Sequence, residues 1–208
     1  LATIKPVDPS APLINVQVNL PSAWNNKFLQ FGGSGYNGAL VTGLDGVRLA
    51  GPDTPRPITQ GYMTAGTDSG HQNATGVEAQ AFALNAEALR NFAYASYNKT
   101  HDLAVEVAQL YYGAKPGTTY YMGGSEGGRE GMTMAQRYPE DYDGIISIDP
   151  VMNWSGLQTF GNYVGGVLQS KPSAWLGTKV QRVHDTVVAA CDKLDGLADG
   201  VISNYTAG

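Results

Sequence analysis

The sequence predicts an α/β fold with a largely parallel sheet. Three observations carry this. Short strand-like segments alternate with amphipathic helical ones along residues 14–148. The run "GIISI" (144–148) is continuously apolar, as a buried parallel strand should be. The segment "TTYYM" (118–122), rich in β-branched and aromatic residues, runs straight into a glycine-rich turn and then a helical stretch.

In "INVQVNL", Ile14, Val16, Val18 and Leu20 alternate with polar neighbours, which predicts a half-buried strand ended by Pro21. "NKFLQF" (26–31) predicts the next strand, followed by the glycine loop "GGSGYNG" (32–38). Residues 39–60 carry three glycines and three prolines and predict a long loop. "GYMTAGTDSGH" (61–71) begins as a short strand and ends as a turn. Next comes a helix in which Phe82, Leu84, Leu89, Phe92 and Tyr97 share one face, broken at Asn98 to Thr100. A second helix, "HDLAVEVAQLYYG" (101–113), closes at Gly113. A third starts in "REGMTMAQRYPE" (129–140) and stops before Pro139. From about Asp149 the character changes: a helix from about 174 to 191 leads into an acidic loop, with no further clear core strand. The expected division is therefore 1–150 and 151–208.

The chain has 208 residues, 42% hydrophobic and 15% charged, which excludes disorder and coiled coil and suffices for a sizeable core. Net charge is −5 with no basic run, which argues against nucleic acid or an anionic membrane surface as partner. No apolar run approaches the roughly 20 residues of a membrane span. Cys191 has no internal partner. N-x-S/T sequons begin at Asn73, Asn98, Asn153 and Asn204, which opens the way to glycosylation.

"YMGGSEGGREG" (121–131) contains G-x-S-x-G between a strand and a helix. A serine on so sharp a turn brings the residues two before and two after it close together, so Gly123 and Gly127 have to be small. The helix beyond Ser125 turns free N–H groups toward the serine, and the Glu126 amide is a candidate oxyanion donor. A glycine-rich turn with a capping serine is the plainer reading of the same residues. A second donor has to come from a loop after an early strand, and "FGGSGYNG" is such a loop. No phosphate-loop G-x-x-x-x-G-K-[ST] occurs.

These blocks, with "IKP", "RYPEDYDGIISIDPVMNW" and "CDKLDGLADGVI", make the chain resemble the tannase and feruloyl esterase family of α/β-hydrolases. The resemblance implies hydrolysis of esters of aromatic carboxylic acids (feruloyl, galloyl or terephthaloyl). It makes Ser125 the nucleophile and the amides of Glu126 and Gly35 the oxyanion hole. Two departures stand out. The family usually has Cys at position 124, disulfide-bonded to a Cys beside the catalytic His, and commonly Gly at position 34, where this chain has Gly124 and Ser34.

In this fold the acid and then the histidine follow the serine. His71 precedes it and reads as structural or as a pocket wall. His101 begins a helix and reads as solvated. His184 lies on the helix leading into the acidic loop and is a poor base. The resemblance implies that the acid and histidine lie after an inserted lid. The chain thus reads as an N-terminal part, with 1–150 in the catalytic core and 151–208 opening the lid, and a complementary C-terminal segment supplying both groups.

"CDKLDGLADGVI" (191–202) sets Asp192, Asp195 and Asp199 within eight residues. Such carboxylates repel unless they are solvated or bound to a hard cation. The resemblance implies a structural Ca²⁺ held by the side chains of Asp192, Asp195 and Asp199 and the carbonyls of Leu197 and Val201. It also pairs Cys191 with a later lid cysteine, which fits a secreted or periplasmic protein. The alternative function is a calcium-stabilised module that binds aromatic ligands without turnover.

Overall fold

The structure, a computed structural model, describes residues 1–171 and 177–206, in two compact units, Leu1–Met152 and Asn153–Gly208. In the first, six strands form one sheet in the order β1-β2-β4-β3-β5-β6. They are β1 (Ala2–Ile4), β2 (Ile14–Asn19), β3 (Lys27–Phe31), β4 (Met63–Thr67), β5 (Thr118–Gly124) and β6 (Gly144–Ile148). β1–β2 and β2–β4 are antiparallel; β4–β3, β3–β5 and β5–β6 are parallel. The short strand β1 carries too few residues to show a period and was not anticipated.

The alternation of β3 sends Phe28 and Gln30 to one face and Leu29 and Phe31 to the other. Phe28 packs with Met63, Ala65, Ala104 and Ala108, and burying such a ring contributes about 1.5–3 kcal/mol. Tyr97, Tyr121, Met134 and Tyr142 form a second cluster; Leu29, Phe31 and Met122 form a third. Gln30 is fully buried and satisfied: its amide donates to the Tyr97 carbonyl at 3.0 Å and accepts from the Tyr142 hydroxyl at 3.0 Å.

Three expectations are corrected. The helices do not break at Asn98. Asn85 caps α1 (Ala86–Arg90) by accepting from the Glu87 and Ala88 amides, a π-helical stretch follows over Asn91–Ala95, and α2 runs unbroken over Ser96–Tyr112 to a left-handed Gly113. The polar trio stays helical because each member finds a partner: Asn98 donates to Asp141, Lys99 to the Asn91 side chain, and Thr100 to the Ser96 carbonyl. Leu84 and Leu89 are exposed rather than on the packed face, since the first lies outside the helix and the second on its far side. β6 is parallel but is not buried. It is the edge strand among the described residues, with Ile146 half exposed.

β5 extends through Gly123 and Gly124, which pair with Ser147 and Ile148. α3 (Glu126–Arg137) therefore starts one residue after Ser125. In the second unit, α4 (Trp154–Ser170) is capped by Asn153, and α5 covers Val180–Cys191; the expected start near 174 lies outside the described residues. None of the described residues of this unit is buried. No described helix is long and apolar enough to cross a membrane.

Candidate active site

Ser125 sits between β5 and α3 with φ 58° and ψ −118°, a left-handed backbone that costs a residue with a Cβ on the order of 1–3 kcal/mol. The surrounding structure holds it there. Its amide donates to the Ile148 carbonyl at 2.9 Å, and its carbonyl accepts from the Arg129 and Val151 amides at 3.1 and 3.3 Å. The steric argument from the sequence has a geometric counterpart. A Cβ on Gly123 would collide with the Gly127 carbonyl, and one on Gly127 would stand 2.6 Å from the Gly33 carbonyl oxygen. That close approach brings the glycine loop 32–38 against the start of α3, where the Gly127 amide donates to the Gly33 carbonyl at 3.1 Å.

The loop's amides are nearly all engaged. Gly32 donates to the Met122 carbonyl, Gly33 to Glu130 Oε2, Ser34 to Asn37 Oδ1, Asn37 to the Ser34 carbonyl and Gly38 to the Asp68 carbonyl. Gly35 is exposed with φ 58°, and its amide donates to none of the described residues. The Glu126 amide, the first of α3, is likewise without an internal acceptor. Ser34 keeps a negative φ, because Gly35 takes the left-handed position, so a side chain at 34 carries no backbone strain. The loop also lines an open cavity of about 780 Å³ with Leu40, Thr42 and Asp45.

Beneath the loop lie two buried carboxylates. Glu126 pairs with Arg129, whose Nε donates to both carboxylate oxygens at 2.8 and 2.9 Å and whose other nitrogens reach the Phe92 and Ala93 carbonyls. Burial pushes the Glu126 carboxyl up to about 7, against the pull of Arg129. Glu130, fully buried, accepts from the Gly33 amide, from Asn37 Nδ2 at 2.6 Å and from the Tyr121 hydroxyl at 2.5 Å. Burial pushes the Tyr121 phenol well up, so its hydroxyl remains a donor. The sequence reading missed Glu130 and Asn37. The available signal was a glutamate set between Gly128 and Gly131 near the start of α3.

The histidines stand elsewhere. His71 is buried, stacked on Phe82 at 3.8 Å, with Nδ1 3.5 Å from the Ser69 hydroxyl. His101 meets Asp102 at 3.1 Å and Asp141 at 3.9 Å. It is buried rather than solvated, because its ring packs near Phe28 and Tyr142. His184 is exposed on α5 beside Asp185. Among the described residues, none hydrogen-bonds the Ser125 hydroxyl.

The profile of the family described as tannase and feruloyl esterase matches residues 1–207. The chain belongs to the tannase and feruloyl esterase family. It is 46% identical over 208 residues to an uncharacterized esterase of Agrobacterium fabrum, covering 98% of this chain and 37% of that protein. It is 30% identical to the mono(2-hydroxyethyl) terephthalate hydrolase of Piscinibacter sakaiensis, covering 93% of this chain and 35% of that enzyme. Feruloyl esterase B from Aspergillus oryzae superposes with a TM-score of 0.76 at 27% identity, over 95% of this chain and 38% of that one. The chain thus spans little more than a third of the length of these relatives and shares the α/β fold of the esterases over that part.

The glycine at 124, where the family resemblance expects cysteine, has an occupant beside it. A Cβ there would run into the Arg48 guanidinium, which bonds Asp149 at 3.1 Å. Asp149 has φ 40°, and its Oδ1 lies 3.3 Å from the Ser125 amide, so this pair braces the serine turn from outside. Arg48 comes from the long loop 39–60, and its approach to Gly124 has no local sequence signal.

In the acidic loop, each aspartate caps a backbone amide. Asp192 accepts from Gly200, Asp195 from Leu197 and Ser203, and Asp199 from Val201. Gly196 and Gly200 take left-handed φ of 93° and 80°. The three carboxylates do not gather within 4.8 Å of one another. Among the described residues only His101, Asp102 and Asp141 do so. The donor set still suits a hard cation, being all oxygen, and the Leu197 and Val201 carbonyls accept no hydrogen bond from the described residues.

Proposed function

We propose that the complete protein is a serine esterase that cleaves carboxylic esters of aromatic acids, of feruloyl, galloyl or terephthaloyl type. The observation that carries this reading is the strained Ser125, followed by the Glu126 amide and facing a glycine loop held against α3, where the Glu126 and Gly35 amides have no acceptor among the described residues. Ser125 Oγ attacks the ester carbonyl carbon while a base from a later segment of the protein takes its proton. The carbonyl π electrons move onto oxygen, and the two amides receive that charge. The C–O bond to the alcohol breaks, the protonated base returns its proton to the alcohol, and water then hydrolyses the acyl-serine to release the aromatic acid. Residues 151–208 would open an inserted lid domain, and the protein is secreted or periplasmic.

A structural Ca²⁺ is part of the same proposal. Asp192, Asp195 and Asp199 would hold it with the Leu197 and Val201 carbonyls, and the ion would offset two of the loop's three negative charges in a structural role.

The test is Ser125→Ala in the complete protein, assayed on methyl ferulate, methyl gallate and mono(2-hydroxyethyl) terephthalate. Loss of all turnover on the ester that the parent cleaves is expected. Undiminished turnover would exclude Ser125 as nucleophile, and a parent protein that binds these esters without cleaving any would instead be the non-catalytic module.

A further inference from the structure

We propose that Glu130 is a positioning residue of the oxyanion hole. Resting on the nucleophile reading above, it presents the Gly35 amide by gripping the loop residues on either side of it. Glu130 projects from the second turn of α3, five residues after Ser125, so one helix carries both the serine turn and the grip. Its carboxylate meets donors only: the Gly33 amide at 3.1 Å, the Tyr121 hydroxyl at 2.5 Å and Asn37 Nδ2 at 2.6 Å. Asn37 relays the grip, since its Oδ1 accepts from the Ser34 amide at 2.7 Å. Gly33, Ser34 and Asn37 are thereby tied down, and Gly35, between them, is left with its amide unengaged at φ 58°.

The chemistry explains why this position suits glutamate. A carboxylate offers two acceptor oxygens and no donor, so it satisfies three donors that converge from two sides. Glutamine is nearly isosteric but carries one N–H₂ end, which has to face a donor. The site is also closed to a side chain opposite: a Cβ on Gly32 would meet the Tyr121 hydroxyl and stand 2.9 Å from Glu130 Oε2. Water cannot readily replace the missing acceptor, because Glu130 and Tyr121 are both fully buried.

The same logic predicts a rescue. In Glu130→Gln, the new amide nitrogen turned toward position 37 faces the Asn37 NH₂ group. Adding Asn37→Asp places a carboxylate there, which accepts from that nitrogen with one oxygen and from the Ser34 amide with the other. The acceptor and donor roles are then exchanged across the pair, and every bond is restored.

The experiment measures kcat and KM of the complete protein on 4-nitrophenyl acetate, whose cleavage needs nucleophile, base and oxyanion hole but little else. Removing one oxyanion donor outright costs about 10²–10³ in kcat, and a displaced loop should cost less. Glu130→Gln is expected to lower kcat roughly 10- to 100-fold with KM within about threefold. Asn37→Asp alone, which sets two carboxylates face to face, is expected to lose at least as much. The double variant is expected to recover to within about fivefold of the parent. A Glu130→Gln protein with kcat within twofold of the parent overturns the proposal, as does a double variant no better than Glu130→Gln. If Glu130→Gln alone fails to fold, the double variant is compared with Asn37→Asp instead, and a kcat no higher than that of Asn37→Asp overturns the proposal. Ser125→Ala keeps the two readings apart: an inert Ser125→Ala beside a fully active Glu130→Gln removes only the positioning role, whereas an active Ser125→Ala removes the nucleophile itself.

Discussion

The glycine loop 32–38 and the acidic loop 191–202 are built with the same parts, glycines that turn the chain and carboxylates that hold its amides, and yet they behave as opposites. In the first, the carboxylate is Glu130, fully buried and supplied by a helix nearly a hundred residues later. In the second, Asp192, Asp195 and Asp199 belong to the loop itself, the first two partly exposed and the third exposed. A buried carboxylate among donors is a rigid peg, because displacing it leaves unpaired polar groups out of reach of water. An exposed one competes with water for every bond and is worth little alone. The first loop is organised by the fold, while the second is held by bonds within itself that compete with water.

The largest contrast comes from one substitution made in both places. Gly127→Ala drives a Cβ to 2.6 Å from the Gly33 carbonyl oxygen, so the backbone of the site has to move. We expect loss of esterase activity by at least about 10³-fold and several kcal/mol of stability, read by assay and thermal denaturation. Gly200→Ala has open space around it and suffers only from its φ of 80°, so a cost of about 1 kcal/mol is expected, with activity retained. Equal effects at the two sites would erase the distinction.

A second contrast concerns the cation. Chelation with EDTA should lower the melting temperature of the complete protein, and added Ca²⁺ should restore it. Asp195→Asn should abolish the response, while Asn37→Ala, on the other loop, should lower stability by about 1–3 kcal/mol with the response intact. An Asp195→Asn protein that still answers to Ca²⁺ removes the ion from that loop.

The smallest effects are those of pH. The Leu197 and Ser203 amides hold the Asp195 carboxyl below its ordinary 3.8, so its bonds are present above that value and are lost as pH falls through the lowered one. The protection of the Leu197 and Ser203 amides from hydrogen exchange, taken relative to the unstructured rate at the same pH, should fall on acidification below 3.8. His71 shifts in the same direction for a different reason. Burial lowers it from 6.5 against the attraction of Asp68, so the folded state holds fewer protons than the unfolded one. Its contribution is therefore present above pH 6.5 and declines as pH falls below it. His71→Phe should flatten the melting temperature between pH 5 and 7.

Much of the site could be read directly. The strand–turn–helix around Ser125, the need for glycine at 123 and 127, and the loop after β3 are local. Near neighbours make the Gly123–Gly127 contact, and glycine is the signature of a backbone with no room for a Cβ, although what crowds Gly127 itself is Gly33, across the fold. The period-2 strand at Ile14–Asn19 and the Gly113 stop were legible for the same reason. The continuity of α2 through Asn98–Thr100 was not, because the partners that reconcile those polar side chains with a helix include Asp141, 43 residues away from Asn98. β6 looked buried because an apolar run says nothing about how many strands flank it.

The sequence by itself determined the α/β alternation, the strained serine and the acidic loop, since each is written in spacing and in residue types with strong local preferences. Only the tertiary structure decided that Arg48 stands where Gly124 leaves room, and that a glutamate on α3 holds the loop after β3. Those are contacts between segments distant along the chain. A charged residue in sequence looks the same whether it faces water or is buried among donors, and only the packing of helix on sheet tells the two apart.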